Sequence, residues 1–195
     1  MRKWMTIALL LVLALMVTGC GKAPAQAALT AADEAIANVK PEAEKYVPEE
    51  FAKLTAAAAD ARAKFDAGNY KDALTAAKDI PTQATEVLNA ANAKKEELTG
   101  KWNELQGSMP AMVQGLTDKV SSLEAMKKLP RGFDKTQLET AKASLASVTS
   151  DWTAAADAFK SGDVTGALSK AEGVKSKAEE LAKSLEAAAP AAAKK

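Results

Sequence analysis

Apolar residues recur along this chain at alternating steps of three and four. Leu29, Ala32, Ile36, Val39, Ala43 and Tyr46 form one such series. Phe51, Leu54, Ala58, Ala61 and Phe65 form a second, and Leu138, Ala141, Leu145, Val148, Trp152, Ala155 and Phe159 a third. That spacing places each series on one stripe of an α-helix. Start signals precede the stripes: Thr30 with Asp33 as a capping box, Pro48 at a first helical position before Glu49 and Glu50, and Asp134 with Gln137. Gly68, Gly107 and Gly162 mark stops. The pattern predicts helices over 30–46, 48–67, 70–105, 109–129, 135–160 and 164–187. The fold class is therefore all-α, about six helices in a bundle or short solenoid-like array.

Composition sharpens this picture. Alanine dominates, lysine and glutamate follow, and aromatic residues make up 5% of the chain, the composition of helices and not of sheets. Alanine in the stripes lets helix axes approach closely but buries less apolar area per contact than leucine, so a slim, moderately stable bundle is expected. Phe65, Tyr70, Trp152 and Phe159 sit near the predicted turns and read as core anchors.

An internal match is the second signal. Ala61–Leu74, ARAKFDAGNYKDAL, aligns without gaps on Ala155–Leu168, AADAFKSGDVTGAL, at an offset of 94 residues. Upstream, Phe51, Leu54, Ala58 and Ala61 fall on Leu145, Val148, Trp152 and Ala155. Downstream, Ala77, Ile80, Ala84, Val87 and Ala91 fall on Ala171, Val174, Ala178, Leu181 and Leu185. Two repeated helical hairpins are expected, one in region 30–107 and one in region 108–187, each with a second helix kinked or frayed at Pro81 or Gly173.

The N-terminus carries a different pattern. Arg2 and Lys3 precede an apolar run from Trp4 to Val17, which ends in Thr18, Gly19 and Cys20. A cationic start, a run too short for a stable span and small residues before a cysteine describe a cleaved export signal over residues 1–19. Leu15–Cys20 resembles the lipobox of bacterial lipoproteins, with Val17 in place of the usual leucine. The resemblance implies cleavage before Cys20, which would carry a diacylglyceryl group and an N-acyl chain such as palmitate. Those chains would anchor the protein to a membrane. Gly21, where aspartate would signal inner-membrane retention, points to the outer membrane facing the periplasm. Residues 20–29 read as a lipidated flexible tether, whose extended length of about 25 Å keeps the domain near the membrane.

At the other end, residues 188–195 read as a disordered tail closing in Lys194 and Lys195. In that feature the chain resembles the major outer-membrane lipoproteins of enteric bacteria, helical rods whose terminal lysine is joined to peptidoglycan. The resemblance makes Lys195 a candidate wall attachment.

Charge and missing residue types exclude several functions. Lys and Arg number 26 against 25 Asp and Glu. Loss of residues 1–19, with Arg2 and Lys3, leaves the chain within about one charge of neutrality, so no field of one sign recruits nucleic acid. The sequence has no histidine and one cysteine, which excludes internal disulfides and leaves only carboxylates to bind a metal. No G-x-S-x-G, S-x-x-K or Walker-type loop is present. The adjacent pairs Glu49–Glu50, Glu96–Glu97 and Glu179–Glu180 read as solvated helix faces. No catalytic residue, cofactor or metal site is predicted.

The segment GNYKDALTAAK resembles the inter-helix turn of tetratricopeptide hairpins, with Ala61 and Phe65 in an A-x-x-x-F arrangement. The copies here are not adjacent, and Val164 replaces the aromatic residue in the second. Tyr46–Ala91 also resembles an alanine-rich helical domain of unknown function found in bacterial envelope lipoproteins. Both resemblances imply protein binding or scaffolding in the cell envelope, without catalysis. Two alternatives are a tether from membrane to peptidoglycan through Lys195, and a carrier of a small apolar ligand lined by Met109, Met112, Val113, Leu116 and Met126.

Overall fold

The computed structural model of the chain describes residues 21–131 and 133–188. They form five α-helices: α1 (Lys22–Tyr46), α2 (Pro48–Asp66), α3 (Tyr70–Glu124), α4 (Lys135–Lys160) and α5 (Val164–Ala188). No strand occurs among the described residues. The chain divides into two compact units, one up to Lys94 and one from Lys95, and α3 contributes to both.

The first unit comprises α1, α2 and the opening turns of α3. Helix α1 packs on α2, joined by Val47 alone, with Pro48 at the start of α2 as the sequence predicts. The stripe of α1 is buried at Leu29, Ala32, Val39, Ala43 and Tyr46. That of α2 is buried at Phe51, Leu54, Ala58 and Ala61. In the second unit α4 packs on α5. Met109, Leu116, Val120 and Leu123 of α3 join Leu138, Ala141 and Val148 of α4 and Val174, Leu181 and Leu185 of α5 in one core. Helix α4 starts at the expected capping box. The Asp134 carboxylate accepts from the Gln137 N–H at 2.8 Å, and the Gln137 side chain accepts from the Asp134 N–H at 2.8 Å.

Both hairpin turns reverse the chain by the same device. At the first, Ala67, Gly68 and Asn69 donate backbone N–H groups to Ala63, Phe65 and Lys64. At the second, Ser161, Gly162 and Asp163 donate to Asp157, Phe159 and Ala158. Gly68 has φ 82° and Gly162 φ 86°, the left-handed conformation that closes a helix and that a Cβ disfavours.

The structure corrects several expectations. Helix α1 begins at Lys22, so residues 22–29 are helical and not part of a flexible tether. Ala25 is fully buried and Leu29 nearly so, which continues the α1 stripe one step before Leu29. Pro24 lies in the first turn, where its missing N–H would have had no helical acceptor. Thr30 therefore lies within α1, where its hydroxyl donates to the Gln26 carbonyl at 3.1 Å. Asp33 does not cap but pairs with Arg62 of α2.

Gly107 does not end a helix either. The helices expected at 70–105 and 109–129 are one, α3, which is why five helices replace six. An interior Gly and Pro110 cost about 1 and 3 kcal/mol. The stripe, however, stays in phase across them, and Met109 (0% exposed), Leu116 (3%) and Val120 (4%) are buried beyond at about 1.5–3 kcal/mol each. For the same reason α3 runs on through Pro81, and α5 through Gly173. The boundary between the two units falls at Lys94, not at residue 107.

Candidate functional site

Helix α4 carries a stripe absent from the apolar pattern. Thr136, Thr140, Ser144 and Ser147 follow one another at steps of four, four and three, so their hydroxyls share a face over about 16 Å. Across from them α5 presents Lys177, Glu180, Leu181 and Ser184. Between the two helices lies an open groove of about 600 Å³, whose apolar lining includes Ala141, Leu181 and Phe133.

The polar groups of the groove divide into engaged and available ones. Thr140 donates to the Thr136 carbonyl, and Ser184 to that of Leu181. At one end the Asp151 carboxylate accepts from Lys177 Nζ at 2.7 Å and from Ser147 Oγ at 3.2 Å. The hydrogen bond from Lys177 holds the Asp151 carboxyl below its ordinary range. Partial desolvation opposes it, and the charge of Lys177 and the Ser147 hydroxyl assist. The hydroxyls of Thr136 and Ser144 and the carboxylate of Glu180 have no partner among the described residues. A surface with free hydroxyls, one free carboxylate and a small apolar lining is suited to hydrogen-bonding an extended polar chain. Its length matches about four or five extended residues.

Other sequence-derived candidates lie elsewhere. Cys20, Lys195 and residues 1–19 fall outside the described residues. Glu49, Glu50, Glu96, Glu97, Glu179 and Glu180 are exposed, and no group of three or more His, Cys, Asp or Glu residues is placed to hold a metal among the described residues. Met109 and Leu116 are buried in the core of the second unit and Met112 and Val113 pack against it, whereas Met126 is 46% exposed. None of the five lines the groove. No helix among the described residues is long and apolar enough to cross a membrane.

The aromatic residues show what the stripes missed. Phe65 and Tyr70 meet edge to face at 5.1 Å, both half-buried. Trp152 and Phe159 are half-buried too, because both stack on Trp102, which is 1% exposed. Trp102 stands three residues before Leu105 and seven before Met109 in the sequence, the signal that marks it as core. The hydroxyl stripe was readable in the same way, from polar residues at helical spacing.

A scan of family models and searches of curated proteins and of solved structures return no match to this chain.

Proposed function

We propose that this protein is a lipid-anchored lipoprotein of the bacterial envelope, facing the periplasm from the outer membrane. In this reading it acts without catalysis as an adaptor whose groove between α4 and α5 holds an extended segment of a partner protein. The groove carries the reading. It joins unpartnered hydroxyls and a carboxylate to helices fixed by a packed core, the arrangement that recognises a peptide by hydrogen bonds. The export-signal pattern ending at Cys20 supports the location. The equivalent turns, with their left-handed glycines, support reading the two hairpins as copies of one unit. So do the matched buried pairs Leu54 and Val148, Ala61 and Ala155, Ala77 and Ala171, and Ile80 and Val174. The second copy bears the groove.

Two measurements test the proposal. A photo-crosslinking residue at Ser144 should capture one defined protein in cells, and Thr140→Leu, which fills the groove, should abolish that product. Crosslinking that the substitution leaves unchanged would remove the groove from the function. Intact mass and detergent partitioning of the native protein, before and after peptidoglycan digestion, test the anchor. An acylated Cys20 species that extracts freely supports a lipid-held adaptor. A fraction released only by wall digestion, with muropeptide mass on Lys195, would instead make the protein a membrane-to-wall tether. A chain without acyl mass would end the lipoprotein reading.

A further inference from the structure

The turn between α3 and α4 combines three features found together nowhere else among the described residues. It is pinned from inside: Leu129 and Phe133 pack into the core of the second unit, and the Phe133 N–H donates to the Pro130 carbonyl at 3.1 Å. Its outward side carries Met126, the one exposed large hydrophobic residue among the described residues, at 46%. The same turn carries Lys127, Lys128 and Arg131, and Lys135 opens α4; all are exposed, and none has an ion-pair partner among the described residues.

The neighbouring acids offset these cations only in part, leaving residues 124–142 with five basic and three acidic side chains. Glu124 is taken by Lys142 at 2.9 Å and Glu139 by the same lysine at 3.5 Å. The Asp134 carboxylate caps α4. Elsewhere in the second unit Lys101, Lys119, Lys160, Lys175 and Lys177 each meet a carboxylate, whereas Lys170 and Lys183 stand singly on α5. Four of the ten lysine and arginine side chains without an ion-pair partner among the described residues thus fall on this turn and the first residue after it, together with an exposed methionine.

We propose that Met126, Lys127, Lys128, Arg131 and Lys135 form a contact site for a membrane surface rich in anionic phospholipid. The cations lie among the headgroup phosphates, and Met126 enters the boundary with the acyl chains. A methionine flanked by long-stemmed cations suits that boundary, because the lysine and arginine stems can bury apolar length while their charges stay at the phosphates. Single-stranded nucleic acid would call for exposed rings on which bases stack. The ring at this turn, Phe133, is 8% exposed.

The inference does not rest on the lipoprotein reading, and its test separates the two. The full chain is titrated with phosphatidylcholine vesicles and with vesicles that also contain phosphatidylglycerol. Residues 4–17, or acylation at Cys20, would raise binding to both equally; the turn adds only to the second. Each cation near an anionic surface strengthens binding about fivefold, so the preference for phosphatidylglycerol should be at least about tenfold and should fall as salt rises. It should fall at least about tenfold in Lys127→Gln/Lys128→Gln/Arg131→Gln, which leaves Arg2, Lys3 and Lys135 in place, and be unchanged in Lys170→Gln/Lys183→Gln, which removes two exposed cations elsewhere. Met126→Ser should weaken binding with little change in salt dependence. Equal binding to both vesicle types, or a preference that the triple variant retains undiminished, overturns the proposal. Capture of a polyglutamate peptide without vesicle preference overturns it in favour of an acidic protein partner. All these positions are exposed, so an unchanged helical circular dichroism spectrum is expected throughout.

Discussion

The rings of Trp102 and Phe159 lie face to face, their centroids 4.7 Å apart and their planes 8° from parallel. Trp152 stacks on the same indole at 5.4 Å and 10°. One buried indole thus ties α3 to two turns of α4, close to the left-handed turn at Gly162.

Truncating that indole should be the costliest single change in the second unit. Trp102→Ala is expected to lose about 3–5 kcal/mol. Phe159→Ala, removing a half-buried ring, should lose less. The indole Nε1 of Trp102 is buried without a hydrogen-bond partner, so Trp102→Phe forfeits no hydrogen bond and should cost clearly less than Trp102→Ala. Urea denaturation of the three variants orders these effects. A Trp102→Phe variant as unstable as Trp102→Ala would show that the indole nitrogen matters after all.

Gly68→Ala and Gly162→Ala should each destabilise by about 1–2 kcal/mol, the strain of a Cβ in the left-handed region. Neither position would meet a neighbouring atom within 4 Å, so conformation alone sets the loss. Near-equal losses in thermal melts are expected. A marked inequality would count against reading the two turns as equivalent.

Separating Asp134 from Gln137 should loosen the start of the groove. Asp134→Ala is expected to cost about 1 kcal/mol, since it removes the cap of α4. Gln137→Ala removes the reciprocal half. A double-mutant cycle should show the two losses to be less than additive. Faster amide exchange confined to the first turn of α4 would locate the effect.

Acidification should weaken the pairing of Asp151 with Lys177. The folded-state pKa of Asp151 lies below its ordinary 3.8. The contribution is therefore fully present above that value and is lost as pH falls through the lowered folded pKa. The denaturation midpoint of Asp151→Asn should sit below that of the native chain near neutral pH and converge with it in strong acid. A gap that persists there would exclude the pairing as its cause. At alkaline pH the hydrogen bond from Lys142 to Glu124 acts oppositely. It raises the pKa of Lys142 above 10.5, so its contribution holds below that value and fades as pH rises through the raised one.

The helical architecture was legible wherever a stripe and a terminator agreed. Pro48, Gly68, Asp134 and Gly162 each combine a residue type with a forced local geometry, and the structure places each where the sequence predicts. Errors arose where a local signal opposed the stripe. Gly107, Pro110 and Pro24 announce breaks, but the phase of Met109, Leu116, Ala25 and Leu29 continues, and burial outweighs propensity. The groove was missed for a related reason. Its lining is the polar counterpart of the α4 stripe, and a search for buried residues passes over hydroxyls at the same period. Trp102 escaped notice because a lone aromatic residue in a lysine-rich stretch acquires its meaning from Trp152 and Phe159, about fifty residues away in the sequence.

The small side chains of the first unit have a thermal consequence. Among the described residues, nine of its seventeen buried apolar side chains are alanine, from Ala25 to Ala91, against five of eighteen in the second unit. The heat-capacity increment of unfolding follows the apolar surface brought into water. The first unit should therefore have the flatter stability curve, lower at its summit and slower to decline on cooling, and should be the last to approach cold denaturation.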